Sequence, residues 1–141
     1  MYDETRKLLR KNEISATKNK VALLQELQDM YRPLDAYELH RKVSERVQMD
    51  LATVYRTLTQ FRERGIIREL YDKTNVLYYE VVSGNKKVHP HFKCDNCLQY
   101  FCLPPLSKDD REALSRMAAR FQVDDMIITM SGLCTDCREE D

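Results

Sequence analysis

Five cysteines are the residues of this 141-residue chain whose type and spacing most directly suggest chemistry, and all lie in its last third. Four of them form two Cys-x-x-Cys pairs, Cys94 with Cys97 and Cys134 with Cys137. Each pair can hold one side of a tetrahedral zinc ion, and four thiolates leave no open position for water or substrate. The spacing therefore predicts a structural Zn²⁺ site, with redox-active or unligated cysteines as the alternative.

A second group of possible ligands surrounds the first pair. His89 and His91 flank Pro90, and alternation along an extended segment places both imidazoles on one side. Glu80 could add a carboxylate, and Cys102, outside both pairs, a thiolate. Imidazole and carboxylate ligands suit iron, manganese, nickel or zinc, and one thiolate favours zinc or another softer ion. We expect a second metal site here; the alternative is a surface His-x-His motif with Cys102 in the core.

The elements that must position these residues change character near residues 83–88. Before this stretch, apolar periodicity predicts four helices, with Thr17, Asp35 and Asp50 as caps of the last three and Gly65 as the end of the fourth. Two strand-like runs, 66–71 and 76–82, then form a hairpin. His40 is expected to be a partly buried residue on the flank of the third helix, with metal ligation as the alternative. This order of elements is typical of a winged helix-turn-helix.

The second half has a different pattern, of short strands, one helix and the two Cys-x-x-Cys turns, here called the first and second cysteine knuckles. Residues 98–103 and 123–130 are expected to form strands, and Ser107 can cap a helix between them. Leu114, Met117 and Phe121 lie on the apolar face of that helix. We therefore predict an α+β chain: a DNA-binding domain at 1–82, a linker at 83–88, and a small α/β domain with a four-cysteine zinc site at 89–141.

The fourth helix of the first domain is predicted to be its recognition helix. Its apolar stripe, Leu51, Val54, Leu58 and Phe61, faces the core. The opposite face carries small and polar side chains that suit a major groove, namely Ala52, Thr53, Tyr55, Arg56, Thr59, Gln60 and Arg62. A solvated helix face is the alternative, because charged helix faces are common.

Composition limits the remaining function classes. The chain is 43% hydrophobic and 33% charged with a net charge of zero, which excludes a disordered protein and gives no global attraction to nucleic acid. No apolar run approaches the roughly 20 residues that span a bilayer, and the charged N-terminal residues do not resemble a signal peptide. We expect a cytoplasmic protein with no membrane partner. No phosphate loop or catalytic constellation stands out, so we do not expect an enzyme.

Several motifs together, in order and at matching spacings, closely resemble the ferric uptake regulator family of bacterial metal-dependent transcriptional regulators, which are usually repressors. They are Leu51-Ala52-Thr53-Val54-Tyr55-Arg56-Thr57-Leu58, Gly65-Ile66-Ile67, Tyr79-Glu80, His89-x-His91-x-x-Cys94-x-x-Cys97 and Cys134-x-x-Cys137. The resemblance covers nearly the whole chain. It implies a homodimer joined through the C-terminal domain, with Tyr55 and Arg56 on the DNA-reading helix. It also implies structural zinc at the four paired cysteines and a regulatory metal held by Glu80, His89 and His91.

The chain departs from the family pattern at four places. Members that sense iron or peroxide usually carry a histidine just before the third helix, where Pro33 stands here. Cys102 replaces a carboxylate that the family often has after the knuckle. The usual Thr-x-Gln-Arg entry to the second helix here has Lys20 in place of the arginine. We expect no third metal site, because the positions of its ligands hold Val88, Pro90 and Met126.

The leading hypothesis is a metal-responsive repressor that binds a palindromic double-stranded operator. Its regulatory Zn²⁺, Fe²⁺ or Mn²⁺ would be held by Glu80, His89, His91 and Cys102, and metal binding would favour the DNA-binding arrangement of the two domains. The DNA-binding residues would be Thr53, Tyr55, Arg56 and Thr59. Two alternatives remain: a redox- or peroxide-responsive regulator, and a constitutive zinc-stabilised DNA-binding module.

Overall fold

The computed structural model describes residues 2–30, 32–71, 73–82 and 89–139, which form two compact units on either side of residues 83–88. The predicted linker at 83–88 lies outside the described residues. The first unit consists of α1 (Tyr2–Lys11), α2 (Lys18–Asp29), β1 (Leu34–Asp35), α3 (Ala36–Val43), α4 (Leu51–Glu63), β2 (Ile67–Tyr71) and β3 (Leu77–Val81). The second consists of β4 (His91–Cys94), β5 (Tyr100–Cys102), α5 (Lys108–Met117), β6 (Thr129–Gly132) and α6 (Thr135–Arg138). None of the helices in these ranges has the length and apolar character needed to cross a membrane.

The helices of the first unit begin at the predicted caps. Thr17, Asp35 and Asp50 each accept a hydrogen bond from the backbone N–H three residues further on, at 3.3, 2.8 and 2.7 Å. These bonds satisfy N–H groups that have no partner within the helix, which is why Ser, Thr, Asp and Asn are preferred there. Gly65 follows α4 with a φ of +75°, a conformation that costs glycine little and other residues more.

A single apolar core holds the first unit together. Of the predicted inward stripe of α4, Val54, Leu58 and Phe61 are buried in this core, whereas Leu51 is only partly buried against it. Leu39 of α3, Val54 and Phe61 are completely inaccessible. Strands β2 and β3 form the predicted antiparallel hairpin, and β1 adds to β3 through the pair Leu34↔Tyr79. Three helices, a short edge strand and a hairpin on one core make this unit a winged helix-turn-helix, preceded by α1.

The second unit is built on a three-stranded sheet in the order β5-β4-β6. Strand β4 pairs antiparallel with β5 and parallel with β6. The predicted strand at 123–130 is wrong in position, because the observed strand begins at Thr129 and ends at Gly132. Gly132, the last residue of the strand, pairs with Cys94, and its carbonyl accepts the N–H of Asp95 at 2.7 Å. Pairing with a strand 38 residues away, and not the local apolar pattern, therefore decides where this strand lies.

Helix α5 begins at its predicted cap but is not buried. The Ser107 hydroxyl accepts the N–H of Asp110 at 3.1 Å. None of the helix residues is buried, and Met117 is 83% exposed. Phe121, predicted on the same apolar face, lies beyond the end of the helix and is 75% exposed. Leu114 on the same face is half-buried, so the described residues cover this apolar face only in part.

Candidate metal centres and nucleic-acid interface

The polar face of α4 lies on the surface, as the helical period predicts. Tyr55, Arg56 and Thr59 are exposed and Thr53 is half-buried. The Arg56 guanidinium donates a hydrogen bond to the Thr53 hydroxyl at 3.1 Å, and the Thr59 hydroxyl donates to the Tyr55 carbonyl at 3.0 Å. The pKa of Tyr55 is raised, first by partial burial and then by its neighbours Tyr37 and Asp35, so its phenol stays protonated. This face therefore presents a cation and hydroxyl groups, which is the chemistry of a nucleic-acid contact.

His40 has a structural position near the start of this helix. Its Nε2 lies 2.8 Å from the carbonyl of Met49, so Nε2 must carry the proton, because a carbonyl can only accept. Met49 immediately precedes the cap Asp50. His40 thus ties α3 to the connection that leads into α4, and among the described residues it joins neither of the candidate metal clusters.

The four paired cysteines lie together at one end of the second sheet. Their sulfur atoms are all within 4.8 Å of one another, and Cys97 Sγ lies 3.9 Å from Cys134 Sγ. A tetrahedral zinc with Zn–S bonds of about 2.3 Å requires sulfur atoms about 3.8 Å apart. Parallel pairing of β4 with β6 produces this convergence, because it brings Cys94 opposite Gly132, two residues before Cys134. The donor set and the spacing fit a closed zinc site.

Hydrogen bonds and neighbouring thiols give the cysteines of this cluster different pKa values. The backbone N–H groups of Cys134 and Cys97 each donate to Cys94 Sγ at 3.4 Å and lower the pKa of Cys94 to about 6. The Asn96 amide donates to Cys137 Sγ at 3.3 Å, and this hydrogen bond favours the Cys137 thiolate. The neighbouring thiols, Cys134 first, have the larger combined effect and raise the pKa of Cys137 to about 12. One thiolate therefore forms readily, whereas four together require a cation between them.

His89, His91 and Cys102 form a second cluster, with ligating atoms within 4.8 Å of one another. The register of the sheet explains this: His91 on β4 is directly opposite Cys102 on β5, and direct partners point to the same face. The rings of His89 and His91 meet edge to face with centroids 4.7 Å apart. His91 is buried, His89 is half-buried and Cys102 is exposed. Two imidazoles and one thiolate make a three-ligand set for a transition metal, and a tetrahedral ion would take one further ligand.

Glu80 belongs to the first unit, where it lies near the end of β3. It is 9% exposed, and its carboxylate forms an ion pair with Arg68 on β2, directly opposite, with 3.4 Å between Oε1 and Nε. The structure thus brings together three of the four predicted regulatory ligands and places Glu80 in an ion pair. Its role as a ligand stays a prediction.

Sequence departures from the family pattern have visible structural counterparts. Pro33 precedes β1 and offers no ligating atom, and its neighbour Arg32 forms a two-fold ion pair with Glu38 of α3 at 2.8 and 2.6 Å. Pro90 is buried and Met126 half-buried, and neither carries a nitrogen or carboxylate ligand; Val88 lies outside the described residues.

Asn96 is the contributor to the cysteine cluster that sequence reasoning missed. It lies inside the first knuckle, and its amide bridges to a sulfur of the second knuckle. Its position between Cys94 and Cys97 was the available signal, since donors within such a turn are placed to reach thiolates.

A winged helix-turn-helix unit followed by a unit with a closed thiolate cluster and a second His–Cys cluster defines a metal-dependent DNA-binding protein. Residues 11–130 match the model of the ferric uptake regulator family. The chain is 30% identical to the ferric uptake regulation protein of Neisseria meningitidis over 114 residues, which covers 79% of this chain and 70% of that protein. It is 27% identical to the peroxide-responsive repressor PerR of Staphylococcus epidermidis, covering 94% of this chain and 87% of the relative.

The fold agrees with these matches. The crystal structure of the Vibrio cholerae ferric uptake regulator superimposes with a TM-score of 0.76 at 22% identity, covering 92% of this chain and 98% of that chain. The chain belongs to the ferric uptake regulator family, and it is a metal-responsive transcriptional regulator.

Proposed function

We propose that this chain is a metal-dependent repressor, which binds a palindromic double-stranded operator as a homodimer when its second metal site is filled. The His89–His91–Cys102 cluster is the observation that carries the proposal, because it offers a ready three-ligand set apart from the closed cysteine site. An open, partly exposed site can exchange its metal with the cell, whereas a four-thiolate site retains it. The name of the similar Staphylococcus repressor supports repression as the direction of control.

Zinc is the metal that best suits both sites in this proposal. Four thiolates at Cys94, Cys97, Cys134 and Cys137 suit structural zinc. For the second site, the Cys102 thiolate favours Zn²⁺ over Fe²⁺ or Mn²⁺, which prefer harder oxygen and nitrogen ligands. Iron and manganese are the second candidates, since the two histidines alone would accept them.

Glu80 is proposed as the fourth regulatory ligand, on the strength of its match to the family motif. Its carboxylate would have to exchange its ion pair with Arg68, at 3.4 Å, for the metal. A ligand drawn from the first domain, at 1–82, would join that domain to the ligands of the second, at 89–141. Metal binding would thereby favour one arrangement of the two domains, which is the coupling that a metal-dependent regulator needs.

The DNA contacts are assigned to Thr53, Tyr55, Arg56 and Thr59 on α4. In a helix-turn-helix the second helix lies in the major groove and the first crosses the backbone. Arg56 is the residue of this set that can bind a guanine edge with two hydrogen bonds, and the hydroxyl groups can reach phosphates or base edges.

Exposed apolar side chains of the second unit support the homodimer. Eight large apolar residues there are 38–83% exposed, namely Leu98, Phe101, Met117, Phe121, Val123, Ile127, Met130 and Leu133. Apolar surface of this extent usually marks an interface. We assign the second domain to dimerisation, place the protein in the cytoplasm with its DNA and reduced thiols, and propose no enzymatic activity, because the strongest metal site is closed.

The decisive experiment follows operator binding as metal is added to protein that retains only its structural zinc. The DNA is an inverted repeat selected from a random duplex library with the zinc-loaded protein. Zinc should raise the affinity of the wild type by at least about tenfold, equal to about 1.4 kcal/mol. The double variant His89→Ala/His91→Ala should lose this response but keep structural zinc and the dimer. Gln99→Ala, in the same unit, is the matched control.

Three results would contradict the proposal. Equal binding of the wild type with and without metal would indicate a constitutive module. Metal-independent switching by peroxide would indicate a redox regulator. A metal response that survives in the double histidine variant would place the sensor elsewhere in the chain.

A further inference from the structure

The first unit contains a cavity that neither the metal clusters nor the polar face of α4 uses. Its volume is about 310 Å³, and it lies between α1, the first half of α2 and the connection from α3 to α4. The described lining residues are Arg6, Lys18, Val21, Ala22, Arg46 and Val47.

The floor and the rim of this cavity differ in chemistry. Its floor is apolar, because Val21, Ala22 and Val47 show only 3–8% of their surface. The rim carries the other three lining residues, all cationic, and none of the described lining residues is acidic. A concave site with an apolar floor and a few polar groups at one side is the usual form of a small-molecule pocket.

The three cationic side chains differ in how closely they are paired with carboxylates of the protein. Arg46 is held by Glu26 at 2.5 Å, which fixes its guanidinium at the rim. Arg6 lies 3.9 Å from the highly exposed Asp3, a separation at which a solvated pair contributes little. Lys18 forms no ion pair with any residue that the structure describes. The rim therefore has positive charge available for an external anion.

We propose that this cavity binds a small amphipathic carboxylate, with its anionic group at the cationic rim and its short apolar chain on the floor. Charge complementarity favours an anion, since Arg6 and Lys18 bring positive charge to the mouth that the exposed Asp3 offsets only weakly, whereas the charge of Arg46 is balanced by Glu26. The apolar floor favours a chain over a hydrophilic anion such as a backbone phosphate, and the small exposed area of Val21, Ala22 and Val47 suits a short one. The volume is at the lower end of the about 300–1,000 Å³ of ligand pockets, which limits the chain to a short one.

A ligand in this cavity would lie close to the start of α4, the proposed DNA-binding helix. Arg46 and Val47 lie in the segment that leads from α3 to Asp50, the cap of α4. Binding of the carboxylate requires neither metal nor DNA, so its test is separate from that of the proposed function.

Octanoate is the probe, titrated by calorimetry into the full chain with its structural zinc. We expect saturable binding, with amide chemical-shift changes confined to α1, α2 and residues 44–47. Arg6→Gln/Lys18→Gln should weaken binding at least about tenfold, or about 1.4 kcal/mol. The control Lys7→Gln/Lys20→Gln removes the same charge from the same two helices at residues that do not line the cavity, and it should bind octanoate as the wild type does.

Two further probes separate the two halves of the proposal. Acetate has the anion without the chain, and octanamide has the chain without the charge; each should bind at least about tenfold more weakly than octanoate. The proposal is overturned if octanoate does not saturate the wild type by about 10 mM, a concentration that corresponds to a binding free energy of less than about 3 kcal/mol in magnitude. It is equally overturned if both double variants bind alike, or if octanamide matches octanoate.

Discussion

The ion pair between Arg32 and Glu38 offers a quantitative test of how α3, the first helix of the helix-turn-helix, is held in place. Two parallel hydrogen bonds at 2.8 and 2.6 Å join the guanidinium before β1 to the carboxylate in the first turn of α3. Glu38→Gln removes the charge and one acceptor while keeping the shape of the side chain. The control Glu45→Gln removes the same charge from an exposed residue for which the described residues provide no ion pair.

The magnitude follows from the geometry and exposure of this pair. A two-fold Arg–carboxylate contact is stronger than a single one, but the side chains remain 27% and 21% exposed, so solvent screens it. We expect Glu38→Gln to lower the free energy of unfolding by about 1 kcal/mol, the upper end for exposed pairs. For a unit of this size, that equals about 4–8 °C in melting temperature.

The pH dependence of this loss has a definite sign. The hydrogen bond from Arg32 is the main cause that holds the pKa of Glu38 below its ordinary 4.5. A carboxylate whose pKa is depressed by folding stabilises the protein above the unfolded pKa and loses that contribution as the pH falls through the folded value. The difference between wild type and Glu38→Gln should therefore be complete above about pH 4.5 and shrink below it.

Thermal unfolding followed by far-ultraviolet circular dichroism between about pH 3 and pH 7 measures this difference. Glu45→Gln should melt with the wild type throughout the range. A loss that grows towards acid pH, or a Glu38→Gln variant indistinguishable from Glu45→Gln at neutral pH, would refute the assignment of the stabilisation to this pair.

Four further predictions concern the proposed sites. Cys94→Ser should release the structural zinc and unfold the second unit, seen as loss of bound metal by mass spectrometry; a folded, zinc-containing variant would contradict it. Arg56→Ala should weaken operator binding by about 1–3 kcal/mol with an unchanged melting temperature, because its side-chain hydrogen bond to Thr53 is a surface contact. Cys102→Ser should reduce the affinity for zinc more than that for manganese in competition titrations, whereas equal losses would indicate that the thiolate is not a ligand. Met117→Lys should shift the dimer to monomer in sedimentation without changing helix content, since this side chain is 83% exposed in the single chain.

Local chemistry explains why much of the fold was predictable. Caps such as Asp35 and Asp50 act through a hydrogen bond three residues away, so they can be recognised within one helical turn. The core face of α4 follows from its 3.6-residue period, and Val54 and Phe61 are fully buried as that period requires. The two cysteine knuckles likewise depend on spacings of three residues.

Elements that depend on distant pairing were not predictable in the same way. Strand β1 is only two residues long, too short for a periodic signal, and exists because Leu34 pairs with Tyr79. The position of β6 is decided by its register with β4. The second cluster differs, because its ligands His89, His91 and Cys102 were predicted from their closeness along the chain, whereas the contact of Cys102 with His91 comes from the pairing of β4 with β5.

Helix α5 shows where the hydrophobic pattern is intrinsically ambiguous. Its apolar positions predict a buried face, yet Met117 and nearby Phe121 are largely exposed in the single chain. The free energy of burying an apolar side chain depends on the area removed from water, and this area is the same whether the covering atoms belong to the same chain or to a second copy. Periodicity therefore predicts that this face must be covered but not by which chain. Because Met117 and Phe121 remain largely exposed among the described residues, the same pattern that suggested a core supports an interface between two copies.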